Sequence, residues 1–89
     1  MKAVHHVALQ IPGFRAELVL RRKPTWAKII EVLERKAINV RGRSHTEMLQ
    51  RVIAETRNMA ATWKQPPDSN GTCSLTGISI TVQKWDVHK

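Results

Sequence analysis

The first twenty-two residues alternate. Val7, Leu9 and Ile11 share one parity, with Ala8 and Gln10 between them; after Pro12-Gly13, Phe14, Ala16, Leu18 and Leu20 alternate with Arg15, Glu17, Val19 and Arg21. A period of two predicts strands with one buried face, here two extended runs between Lys2 and Arg22 joined as a hairpin. An L-Pro-Gly pair favours a type II turn, whose twist suits a two-residue hairpin poorly, so a wider connection is expected. On this pattern His5 sits at the rim of the core and His6 is solvated.

At Pro24-Thr25 the period lengthens to 3.6. Trp26, Ile29, Ile30, Leu33 and Ala37 fall on one stripe, and Glu31 and Arg35 stand at the favourable i, i+4 spacing, which predicts a helix of about 13 residues. The segment Ile38-Asn39-Val40-Arg41-Gly42-Arg43 interrupts it with two β-branched residues, an Asn and a Gly. Ser44-His45-Thr46-Glu47 then reads as a capping box that starts a second helix. Its stripe of Met48, Leu49, Val52, Ile53, Thr56, Met59, Ala60 and Trp63 continues for about five turns, until Pro66-Pro67 stops it.

Residues 65–72 carry two prolines, Asp, Ser, Asn and Gly, the composition of a surface loop. Within it Asn70-Gly71-Thr72 matches a glycosylation sequon but reads as an Asn-Gly turn. From residue 73 to 87 period two returns, with Ile78, Ile80 and Val82 facing one way. Leu75 and Trp85 lie on the other parity, so sharing that face would require a bulge near Gly77 and an irregularity near Lys84. One bent strand, or two short ones, is expected.

The order strand, strand, helix, helix, strand (ββααβ) predicts an α+β fold: a β-hairpin, two helices and a C-terminal strand, with the helices packed on one face of a small antiparallel sheet. Eighty-nine residues hold one domain, spanning 1–89, with no repeat and no linker. Near the N-terminus two histidines, Gln10 and Pro12 interrupt the apolar run a signal peptide needs, and no stretch approaches the 18 apolar residues of a membrane span, so no membrane association is expected. The lone Cys73 cannot form an internal disulfide, which favours a reducing, cytoplasmic setting.

Charge changes the picture most. Fifteen Lys+Arg stand against seven Asp+Glu, a formal net charge of +8. Residues 15–43 hold nine of the basic and three of the acidic side chains, so +6 of that total lies in one third of the chain. It falls in three clusters: Arg21-Arg22-Lys23 after the hairpin, Arg35-Lys36 at the end of the first helix, and Arg41-Gly42-Arg43 ahead of the second. The last two can merge, about 20 Å from the first. Guanidinium groups beside the free amides of a helix N-terminus suit a phosphate. Arg35 and Lys36 also complement a helix C-terminus, whereas Arg21-Arg22-Lys23 opposes the dipole of the helix it precedes and so invites a functional reading.

For base contacts there are two candidates. The hairpin can present Arg15, Glu17, Val19 and Arg21, or the second helix can lead with Thr46, Gln50 and Arg51; Gln and Arg are the types that read adenine and guanine edges. Base stacking looks weak, because only Phe14, Trp26, Trp63 and Trp85 are aromatic and three of them sit on core stripes. Gly42-Arg43-Ser44 with Glu47, Gln50, Arg51 and Val52 resembles the turn and second helix of Arc-type ribbon-helix-helix repressors. The likeness covers about a dozen residues and needs a one-residue gap; the preceding helix is spaced differently, a further strand flanks each end, and no residue role is carried over.

Catalytic patterns are missing. His5, His6, His45, His88 and Cys73 are scattered without metal spacing, and no glycine-rich phosphate loop is present, so neither an enzyme nor a metal or cofactor is expected. The expected function is that of a small basic nucleic-acid-binding protein, with DNA the foremost target, acting as a regulator or accessory factor through phosphate contacts. Its candidate residues are Arg15, Arg21, Arg22, Lys23, Arg35, Lys36, Arg41, Arg43, Gln50 and Arg51. The alternative is an inhibitor or adaptor that docks on the acidic surface of a larger, nucleic-acid-processing enzyme. The end of the second helix, at Met59, Ala60 and Trp63, and a free sheet edge would also admit a homodimer.

Overall fold

Six elements make up the computed structural model, which describes residues 2–67 and 70–87: β1 (Lys2–Ile11), β2 (Phe14–Leu20), α1 (Trp26–Asn39), α2 (Arg43–Thr62), β3 (Gly71–Leu75) and β4 (Ile78–Val87). The strands form one antiparallel sheet in the order β2-β1-β4-β3. Register explains the core. Val7 lies opposite Leu18 on one side and Val82 on the other, Leu9 opposite Ala16 and Ile80, and Cys73 beyond Ile80. These residues form one apolar face, and Ile29 and Leu33 of α1 with Leu49, Val52, Ile53 and Met59 of α2 cover it. Fully burying a side chain of this size stabilises by about 1.5–3 kcal/mol, so this layer dominates the fold. The fold is therefore α+β with both helices on one face of a small antiparallel sheet, as the periodicities predict.

Both turns are tighter than the pattern suggests. Ile11 pairs directly with Phe14, so Pro12-Gly13 is a two-residue connection rather than a wider one. Gly13 takes φ +80°, the value a type II turn needs at its second central position. The Gln10 side-chain amide donates to the Ile11 carbonyl at 2.9 Å and to the Phe14 carbonyl at 3.0 Å, which ties the two strand ends together across the turn. The C-terminal segment is two strands rather than one bent strand, and Leu75 pairs with Ile78 across Thr76-Gly77. A turn, not a bulge, thus resets the parity, and Leu75 packs against the core.

No irregularity occurs near Lys84. The ladder runs on through His5–Lys84 and Val4–Trp85, which leaves Trp85 on the face away from the helices. It is 47 % exposed, so it does not join the core.

Thr25 caps α1, its hydroxyl accepting the Lys28 N–H at 3.1 Å. The helix continues to Asn39, whose side chain donates to the Arg35 carbonyl, and so Ile38 belongs to its last turn and stays exposed. The capping box does not form, because α2 begins earlier, at Arg43. Gly42 occupies the cap position at φ +102°, a backbone conformation only glycine adopts easily. Ser44 is consequently inside the first turn, Thr46 donates to the Gly42 carbonyl from both its N–H and its hydroxyl, and Glu47 pairs with Arg43. At the far end Trp63 caps α2, and its carbonyl accepts the Trp26 indole N–H at 2.7 Å. Trp63 is 42 % exposed, so the stripe ends one turn earlier, at Met59 and Ala60.

The loop expected over 65–72 ends at Asn70, because Gly71 and Thr72 already pair in β3. Pro66 and Pro67 are buried, and Asp68 and Ser69 lie outside the described residues. No helix among the described residues is long and apolar enough to cross a membrane.

Candidate functional site

Three of the predicted cations meet in one place. Along the edge of β2 a groove of about 420 Å³ opens between the hairpin and the junction of the two helices. Arg15 stands on its sheet side, Arg35 and Lys36 on the last turns of α1, and His45 on the first turn of α2. The alternation of β2 turns Arg15 outward while Ala16 and Leu18 enter the core, and the 3.6 period of α1 does the same for Arg35 and Lys36 behind Leu33. Phe14 meets the His45 ring edge-on, with centroids 5.3 Å apart, and so fixes the start of α2 against the hairpin. Arg41 and Arg43 flank Gly42 beside this groove and are exposed.

Most of this charge is loosely held. Arg15 Nε lies 3.5 Å from Glu17, Arg35 pairs with Glu31 at 3.1 Å and Arg43 with Glu47 at 3.4 Å, all at exposed positions. Such pairs are worth at most about 1 kcal/mol, so each guanidinium can exchange its carboxylate for a more strongly charged anion. The side chains of Lys36, Arg41, Arg21, Arg22 and Arg51 have no partner among the described residues. The hydrogen bond from Lys28, aided by the charges of Lys28 and Arg35, holds the Glu31 carboxyl below the usual carboxylate range.

The remaining candidates lie elsewhere. Arg21, Arg22 and Lys23 are exposed where the chain leaves β2, at the other end of α1, about 20 Å away by helix rise. Gln50 faces a separate groove between the helices with Glu34, Ile38 and Arg57, where the Glu34 carboxylate pairs with Arg57 at 3.0 Å. Arg51 is exposed on α2 without joining either groove. α2 packs against α1 and leaves Gln50 and Arg51 exposed.

The face of the sheet away from the helices carries the outward hairpin residues Arg15, Glu17 and Val19 and, beside them, residues the sequence pattern did not single out. His6 is buried to 6 % exposure rather than solvated. The Trp85 ring stacks on it, with centroids 4.3 Å apart and planes 7° from parallel, and its Nε2 is hydrogen-bonded to Glu17 Oε1 at 2.7 Å. Glu17 also meets Arg15, so the carboxylate is shared between an imidazole and a guanidinium. Ala8 next to this cluster leaves a hollow of about 340 Å³, bordered by His6, Gln10, Arg15, Ser79, Thr81 and Gln83. Strand parity alone marks these residues as one face; the stack of Trp85 on His6 depends on how β4 registers against β1, which no local pattern encodes.

His5 is half-buried on the core side, as expected. Burial pushes the Cys73 thiol above its ordinary range, away from the thiolate a nucleophile needs. Among the described residues no cluster of three His, Cys, Asp or Glu side chains is placed to hold a metal ion, and His88 lies outside them. No family model, curated protein or solved structure matches the chain.

Proposed function

We propose that the protein binds nucleic acid through its phosphates, as a regulator or accessory factor without chemistry of its own. The observation that carries this is the convergence of Arg15, Arg35 and Lys36 on one groove, with Arg41 and Arg43 beside it. Five cations, from β2, the two helices and the connection between them, all without a partner among the described residues or in weak exposed pairs, form a site for a chain of phosphates rather than for a single anion. A reducing, cytoplasmic setting suits the buried, unpaired Cys73.

Binding of mixed-sequence oligonucleotides, measured by fluorescence anisotropy between 50 and 200 mM salt (roughly the range over which counterion release is read), tests this. Five neutralised phosphates on a duplex give a log–log slope of about −4.5, and on a single strand about −3.5. Reversing charge in Arg35→Glu/Lys36→Glu should weaken binding and flatten the slope. Affinity indifferent to both salt and this substitution would refute the reading. An acidic protein surface, the other partner this charge suits, would instead give a stoichiometric complex that survives nuclease treatment.

A further inference from the structure

We infer that the uncovered face of the sheet is a platform for single-stranded nucleic acid, with a base stacked on Trp85 and the strand running along β1 between two basic clusters. This rests on the nucleic-acid reading above and specifies the form of the ligand and where its bases lie.

The two clusters that are far apart along α1 are the two ends of one sheet face. At one end Arg15 borders both the basic groove and the hollow over Ala8, so groove and face are continuous around the lip of β2. At the other end Leu20 pairs with His5, so Arg21 and Arg22 leave the sheet beside the row where Val4 meets Trp85. From the row of Gln10 and Arg15 to that of Val4 and Trp85 is six residues of β1, about 20 Å at 3.3 Å per residue. Cations therefore stand at both ends of a strip about 20 Å long, placed to hold phosphates on either side of bases lying between them.

The strip suits unpaired bases. Trp85 has one ring face against His6 and remains 47 % exposed, which leaves ring surface for a base to stack on. Beyond it, around the small Ala8, lie the Gln83 amide, whose Oε1 accepts the Trp85 indole N–H at 3.3 Å while its N–H groups are left for a base edge, the Thr81 hydroxyl, shared with Thr72 at 3.1 Å, and the Ser79 hydroxyl. Glu17, the carboxylate on this face, is shared between His6 and Arg15 and so opposes a phosphate less than a free carboxylate would. The sheet as a whole is too wide to enter the major groove of a duplex. Four strands spaced about 4.8 Å apart span about 14 Å between outer backbones, more than the ~12 Å major groove that admits a helix or a two-stranded ribbon.

The test compares labelled single-stranded oligonucleotides, ribo- and deoxyribo-, with the same sequences as duplexes. Single strands should bind more tightly than duplexes, with the two sugar chemistries telling RNA from DNA. Trp85→Ala should weaken single-strand binding about five- to a hundredfold and leave duplex binding nearly unchanged, with Trp85→Phe restoring part of the loss. Arg35→Glu/Lys36→Glu should weaken both. If that charge reversal weakens binding while Trp85→Ala leaves single-strand affinity intact, the platform is refuted and the phosphate reading stands; if neither nucleic acid binds the wild type at low salt, both fall. Photo-crosslinking of the wild type to a 5-iodouracil strand guards against a misfolded variant: adducts on the peptide containing Trp85 support the platform, and adducts confined to α1 and α2 overturn it. A dimer seen by sedimentation that single strands do not dissociate, and that Trp85→Ala abolishes, would assign the face to a second copy of the chain and likewise overturn it.

Discussion

Neighbouring residues on β1 belong to two different regions of the molecule. Val7, Leu9 and Ile11 face the helices and are at most 1 % exposed, whereas His6, Ala8 and Gln10 face away, among hydroxyls, amides, a carboxylate and a tryptophan. On the first side the residues are apolar, interchangeable in kind and fixed by packing. On the second most are polar and engaged by specific neighbours, and none is needed to exclude water from the core. The fold therefore draws its stability from one surface of the sheet and frees the composition of the other from that demand.

This contrast can be broken most severely on the covered side. Leu9→Ala, at a fully buried site, should cost about 2–5 kcal/mol in urea unfolding; a cost below about 1 kcal/mol would mean that the helices do not seal this face as described. Trp26→Phe keeps an aromatic ring but removes the donor to the Trp63 carbonyl, and a loss of about 1–2 kcal/mol is expected from the same measurement. On the uncovered side Trp85→Ala should cost less than Leu9→Ala, because the half-exposed ring has only its stack on His6, worth about 0.5–1.5 kcal/mol beyond the area it covers, and a loss equal to that of Leu9→Ala would show that this face also carries the fold.

Adjacent positions of β3 sharpen the contrast chemically. Cys73 is buried with a raised thiol pKa, and Ser74 next to it is exposed. At mildly alkaline pH a cysteine at position 74, in a Cys73→Ser/Ser74→Cys protein, should alkylate at least about tenfold faster than Cys73 in the wild type, with denaturant erasing the difference. The smallest effect concerns Glu31. Its carboxyl titrates below the ordinary range when folded, so its stabilising contribution is complete above that range and is lost as pH falls through it and below. Glu31→Gln should accordingly lower stability slightly near neutrality and change nothing in strong acid, where the carboxyl is already protonated, so that acid unfolding becomes slightly less steep.

What could be read from the sequence was whatever one element settles alone. Alternation in β2 separates Arg15, Glu17 and Val19 from Ala16, Leu18 and Leu20, and the stripe of α2 names Leu49, Val52, Ile53 and Met59. That the segment carrying Arg41 and Arg43 lies close in the chain to Arg35 and Lys36, between the groove-lining Val40 and His45, follows from helix length and a short connection. Features set by two elements together were not legible. The apolar bulk of Trp85 argues for the core, although the alternation of Ile78, Ile80 and Val82 already puts it on the other parity; that no irregularity intervenes, and that it meets His6, depends on the pairing of β4 with β1. His6 looked solvated because neither Trp85 nor Glu17 is near it in sequence. Ser44 satisfied the capping pattern by composition, yet Gly42 offered the chain an earlier start.

The strand order has a consequence for how the molecule assembles. The β1–β2 hairpin and the α1–α2 pair can each form from neighbouring chain, but β1 meets β4 only across separations that run from 69 residues, between Gln10 and Ser79, to 85, between Lys2 and Val87. Closing so long a loop is the entropically demanding step, and its reward comes only when the central ladder zips. Until then the inner edge of β1 offers its backbone to any passing strand. The centre of the sheet, the best protected part of the finished protein, is thus the last part to be made and the one most exposed to mispairing on the way.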